Sequence, residues 1–178
     1  MLYALIVGCE IGFWIILLLA LALRYLHRNE PVSRALLLCL PLIDVFLLVF
    51  TALDLRAGST STFAHGLAAA YIGFTIAFGG LVVQWADAHF AHLFVDGPKP
   101  ERAPTRGWDL VHYDLGLWVR CIIACIVTVA LIEVLARFVD NGDAAAVLRT
   151  WHKTAFGCVL LWFVFGPAWS LATAWRPK

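Results

Sequence analysis

Residues Thr62 to Phe94 read TFAHGLAAAYIGFTIAFGGLVVQWADAHFAHLF, a run with no proline and no cluster of turn residues. Within it Gly66, Ala70, Gly73, Ala77, Gly80, Gln84, Asp87 and Ala91 recur at alternating steps of four and three. That spacing is helical and puts all eight positions on one face. Small side chains on such a face let a second backbone come close, and in lipid this packing replaces the hydrophobic drive missing between helices. The stretch is predicted to be a central helix whose seam ends in the polar pair Gln84 and Asp87. At 1.5 Å per residue it is about 50 Å long, against a hydrocarbon core of about 30 Å, so its last turns stand among headgroups.

The composition around this helix fits only a membrane. The 178 residues are 62% hydrophobic and 14% charged, with a mean hydropathy of +0.86. Soluble domains sit near 45–50% apolar and about 25% charged. Five apolar segments, 2–23, 35–55, 62–94, 115–138 and 154–175, each have the roughly 20 residues a crossing needs. None alternates with period two, and unpaired backbone is not tolerated in lipid, so each is predicted as a helix. The expected fold is all-α: one polytopic transmembrane bundle over residues 1–178, with a single sizeable loop at about 95–114. Its Asp96-Gly97-Pro98-Lys99-Pro100 start marks a turn and linker. The first segment lacks a preceding positive charge and is long for a signal peptide, so it reads as a retained helix.

Lys and Arg set the expected orientation. Nine of them (Arg24, Arg28, Arg34, Lys99, Arg102, Arg106, Arg120, Arg176 and Lys178) fall on one side and four (Arg56, Arg137, Arg149 and Lys153) on the other. The positive-inside rule then places the N-terminus outside and the C-terminus in the cytoplasm. With a net charge of +1 and no basic run, nucleic acid is not an expected partner. The expected partner is the bilayer, with a homo-oligomer or a larger membrane complex beyond it.

Depth selects the polar residues that matter. Glu10 and Tyr71 count to roughly 12 Å below one rim, and Asp44 to about 14 Å from the other. Glu10 and Asp44 thus share a height, where both can face Tyr71 and Thr75. A carboxylate near the bilayer centre costs about 2.5–3.5 kcal/mol, so such a group takes a proton, a partner or interior water, and it marks a pathway more often than not. Asp54 continues the Asp44 face toward the rim, and Glu133 lies near that rim on the fourth segment. These five residues, Glu10, Asp44, Tyr71, Asp54 and Glu133, form the expected proton- or cation-binding set. The alternative is that the deep acids are interhelical glue, hydrogen-bonded as neutral acids.

The histidines fall in two tiers, His65 and His152 toward one rim and His89 and His92 toward the other. Imidazoles on facing helices are the usual ligands of a b-type haem or a metal, which gives a second reading as a membrane oxidoreductase. A third is a structural or assembly partner. Cys9, Cys39, Cys121, Cys125 and Cys158 all lie in apolar segments, where small buried thiols are expected rather than disulfides. Cys121 and Cys125 share a helical face, but two thiols alone do not make a metal site. No nucleotide, protease, kinase or zinc-hydrolase motif is present, so the sequence does not decide whether the protein is an enzyme.

The set Gly8-Cys9-Glu10-Ile11-Gly12-Phe13-Trp14, Pro41-Leu42-Ile43-Asp44, Ala52-Leu53-Asp54-Leu55-Arg56, Phe63-Ala64-His65-Gly66-Leu67 and Trp85-Ala86-Asp87 resembles a group of small, uncharacterised bacterial integral membrane proteins. The resemblance covers roughly the first two-thirds of the chain. It implies a fold and a membrane location only, and no activity; the expected location of the chain is the bacterial cytoplasmic (inner) membrane.

Overall fold

The computed structural model describes residues 2–139 and 142–174, without the side chains of residues 2–6 and of Glu10. The described residues are helical throughout apart from short connections. The helices are α1 (Leu2–Tyr25), α2 (Glu30–Arg56), α3 (Phe63–Phe94), α4 (Gly107–Phe138), α5 (Gly142–Arg149), α6 (Trp151–Phe163) and α7 (Trp169–Ala174), with a π-helical turn, Val164–Ala168, between the last two. Taking α5 to α7 as one broken span, five helical segments are long and apolar enough to cross a membrane. Large apolar side chains cover the outside, among them Leu38, Phe46, Ile126 and Phe165, each more than half exposed. In water such a surface would be an aggregation site, whereas in a bilayer it is the expected lipid contact.

Three helix starts differ from the sequence expectation, one of them in the last crossing, which α5 and α6 open at Gly142 and Trp151, ahead of residue 154. Asn29 caps α2 by accepting a hydrogen bond from the Val32 N–H, with Pro31 in the first turn and Glu30 paired to Arg34 at 2.9 Å, so this helix starts ahead of residue 35. Proline at a helix start has no N–H to lose, and the charged residues lie beyond the apolar run that defined the segment. In the same way α4 reaches back to Gly107, and the connection after α3 shortens to 95–106. Gly58, at φ 92°, makes the turn between α2 and α3, a backbone region that L side chains rarely adopt.

Helices α3 and α4 form the most extensive helix pair, so the centre of the bundle is shared between them; α1 and α2 flank α3, while α5, α6 and α7 pack on α4. The small-residue seam explains the first half of this pairing. Gly66, Ala70, Gly73 and Ala77 are all buried. A Cβ on Gly73 would run into the Ala124 carbonyl and the Thr128 hydroxyl of α4, and one on Gly66 into the Trp151 indole. Beyond Ala77 the seam leaves the interface: Gly80 and Gln84 are exposed and nothing lies within 4 Å of a Cβ at Gly80. Asp87, at the far end, pairs instead with Arg24 of α1 at 3.3 Å. There Leu17, Leu21, Leu40, Ala86 and Phe90 close the α1–α2–α3 corner.

Pro167 accounts for the π turn. Its ring excludes the carbonyl four residues back and it has no N–H to offer, and widening the turn relieves both faults without ending the helix. On α1, a Cβ at Gly8 or Gly12 would meet nothing within 4 Å among the described residues; Gly8 is exposed and Gly12 half-buried.

Candidate functional site

The buried stripe of α2 runs Leu40, Asp44, Leu47, Thr51, Leu55, at helical spacing, toward α3. Asp44 is therefore carried inward by its apolar neighbours: it is only 8% exposed. Facing it on α3, Tyr71 and Thr75 are four residues apart on one side of the helix. The Thr75 hydroxyl donates to Asp44 Oδ2. Cys9, Phe13 and Trp14 of α1 and Leu47 of α2 complete the walls of a cavity of about 200 Å³. The side chain of Glu10 lies outside the described residues, while its chain neighbour Cys9 lines the cavity. A water occupies about 30 Å³ of liquid volume, so this space suits several waters or a small cation. It falls short of the roughly 300–1,000 Å³ typical of sites for larger organic ligands.

Asp54 is engaged elsewhere. It accepts from the Ser59 hydroxyl at 3.0 Å and meets His65 Nε2 at 3.0 Å. The Thr62 backbone N–H reaches His65 Nδ1 at 3.0 Å, with the Thr62 hydroxyl 2.9 Å from the same nitrogen. Because a backbone N–H can only donate, Nδ1 must be the acceptor, so His65 carries its proton on Nε2 and gives it to Asp54. His65, 3% exposed, thus caps the start of α3 and ties it to the end of α2.

Glu133 is likewise spoken for, receiving Arg149 at 3.2 and 3.4 Å, with His152 Nε2 at 3.2 Å. The cavity therefore unites Asp44, Tyr71 and Thr75, and the structure puts Asp54 in a hydrogen-bonded network with Ser59 and neutral His65, and Glu133 in an ion pair with Arg149, both at one end of the bundle. Neither the Arg149 pairing nor the His65 tautomer had a signal in helical periodicity, since both depend on how chain segments turn at the helix ends.

At the opposite end His89 Nδ1 donates to the Trp85 carbonyl at 2.8 Å and its ring lies against the indole. His92 Nδ1 donates to the Gly97 carbonyl at 3.1 Å. The two histidine tiers thus sit at opposite ends of the helices. Among the described residues the metal-capable side chains that converge are three thiols, Cys121, Cys125 and Cys158, with their sulfurs within 4.8 Å of one another. The first two share a face of α4; the third comes from α6, a pairing no periodicity could foretell. Arg120 is a further residue beyond the expected set: its guanidinium crosses from α4 to the Ala77 carbonyl of α3 at 3.0 Å. An arginine inside an apolar segment is itself the signal that marks it.

Five apolar spans, three of which line a buried acidic cavity, define a polytopic helical membrane protein. The chain is 34% identical over 151 residues to the uncharacterised membrane protein YmcC of Bacillus subtilis (strain 168), covering 82% of this chain and 80% of that protein. It belongs to the family of that membrane protein. No family model matches the chain, and no solved structure does.

Proposed function

We propose that the protein binds a proton or a small cation at Asp44, Tyr71 and Thr75, with Glu10 on the adjoining turn of α1. In this reading it serves as a transport component or as a subunit of a larger complex in the bacterial cytoplasmic membrane. The observation that carries the reading is Asp44 itself: an acid near the middle of an apolar span, buried, hydrogen-bonded by Thr75 and open to a cavity of about 200 Å³. An acid at that depth is costly unless a proton or cation neutralises it, so a space able to deliver one beside it is the arrangement of a binding site. Asp54 and Glu133 act as rim anchors in this proposal, fixing helix ends around the cavity. The open space beside Gly8 and Gly12 of α1, among the described residues, favours a second helix there, which supports the subunit variant.

The test is infrared difference spectroscopy of the reconstituted protein, following the carboxyl C=O stretch across neutral pH and on addition of Na⁺ or K⁺. A band that responds to pH or cation and vanishes in Asp44→Asn is expected. An Asp44→Asn spectrum identical to that of the wild type would end the reading.

A further inference from the structure

We infer that Cys121, Cys125 and Cys158 form a binding site for a soft, thiophilic monovalent ion of the Cu(I) class, separate from the Asp44 cavity. Cys121 and Cys125 lie one turn apart on α4, and Cys158 of α6 brings its sulfur to 3.9 Å from that of Cys121. All three sulfurs fall within 4.8 Å of each other. In a planar three-sulfur site with metal–sulfur bonds of about 2.3 Å, the sulfurs stand about 4.0 Å apart. The triangle present here needs only small side-chain adjustments to close on an ion. A disulfide requires about 2.05 Å between sulfurs, so the resting spacing resembles an ion-binding triangle more than a bonded pair.

The surroundings select the ion. Phe78, Val129, Ala155, Val159 and Trp162 pack around the thiols. No fourth His, Asp, Glu or Cys joins the group among the described residues. Zinc favours four ligands and would draw a water into this apolar shell, whereas soft thiolate donors with low coordination number suit Cu(I). Charge points the same way. One thiolate balances a single positive charge, so loading with loss of one thiol proton leaves the bilayer interior neutral, and further thiolates would add costly charge there. A groove of about 460 Å³ between α4 and α6 is lined by His152 and by Val129, Phe156, Ile122 and Cys125, so one of the three thiols borders an open surface. His152 stands beside Glu133, so the imidazole at this groove has a carboxylate next to it.

The experiment is anaerobic titration of the reduced, full-length protein in detergent with Cu(I), supplied as its acetonitrile complex against a chromophoric Cu(I) chelator. The wild type is expected to hold one Cu(I) per chain and to show a sulfur-to-copper charge-transfer band in the ultraviolet. Cys121→Ser and Cys158→Ser should each weaken binding by more than roughly 100-fold, beyond the 10–100-fold typical of losing an outer-shell partner. Cys39→Ser should bind as the wild type does. Melting of each variant without copper separates loss of a ligand from loss of the fold, and Cys125→Ser gives an independent third side of the triangle. Failure of the wild type to compete with the chelator overturns the inference, as does equal affinity in all serine variants.

Discussion

Replacing Gly73 by alanine tests the contact on which the two halves of the bundle meet. The added Cβ would collide with the Ala124 carbonyl and the Thr128 hydroxyl. The hydroxyl can rotate only by giving up its own 2.8 Å bond to that same carbonyl, and the carbonyl belongs to a helix backbone that cannot move alone. The strain must therefore be met by parting α3 from α4. Overpacking of this kind costs about 1–3 kcal/mol, to be set against a gain of about 0.5–1 kcal/mol from replacing a mid-helix glycine. The net expectation is a loss of about 0–2.5 kcal/mol. Gly80→Ala is the matched control on the same face, since nothing lies within 4 Å of its Cβ. Gly97 would be a poor control because a Cβ there meets Ala91 at 3.0–3.1 Å. Reversible unfolding in mixed micelles of dodecyl sulfate and a mild detergent, followed by tryptophan fluorescence, gives the difference directly. If Gly73→Ala and Gly80→Ala shift the midpoint equally, the seam does not govern the α3–α4 approach.

Three further outcomes are expected. Nitrogen NMR of His65 should show a protonated Nε2 and a bare Nδ1; the opposite tautomer would contradict the cap formed with Thr62. Trp151 is buried with its Nε1–H lacking an acceptor among the described residues, and it stacks on Phe63 at 4.5 Å. Trp151→Phe should thus cost far less in the micelle assay than Trp151→Ala, for which about 3–5 kcal/mol is expected, and equal losses would refute the packing role. A C-terminal reporter should be active on the cytoplasmic side, following the nine-to-four distribution of Lys and Arg, and activity only on the far side would reverse the orientation.

The sequence carried the fold where a physical constraint is local and periodic. Hydropathy alone delimits the crossings, and the glycine spacing of α3 identifies Gly66 and Gly73 as contact positions. It carried less where a face has two candidate neighbours. The same small-residue logic on α1 marks Gly8 and Gly12, yet among the described residues nothing lies within 4 Å of a Cβ there, because small size permits close approach without saying which helix approaches. Of the expected acidic set, Asp44 and Tyr71 share a cavity since their depths on antiparallel helices agree. Asp54 and Glu133 have the right depth for the rim but are taken up by His65 and Arg149, partners supplied by turns whose geometry depth counting ignores. The thiol cluster was half legible: the i, i+4 pair on α4 could be read, whereas Cys158 arrives through the tertiary pairing of α6.

The π turn at Pro167 acts as a phase slip in the last crossing. Ahead of it the inward positions run Trp151, Ala155, Cys158, Trp162, and a regular helix would continue that line through Phe165 and Trp169. Those two side chains are instead 75% and 67% exposed, and the buried positions are Pro167 and Ser170. The extra residue in the widened turn rotates everything after it by about 100°. Two aromatic rings are thereby turned outward, while the buried proline and serine belong to the π turn and α7, which both pack on α4. The turn thus works as a coupling joint that lets one continuous crossing present two differently keyed edges to the same neighbour.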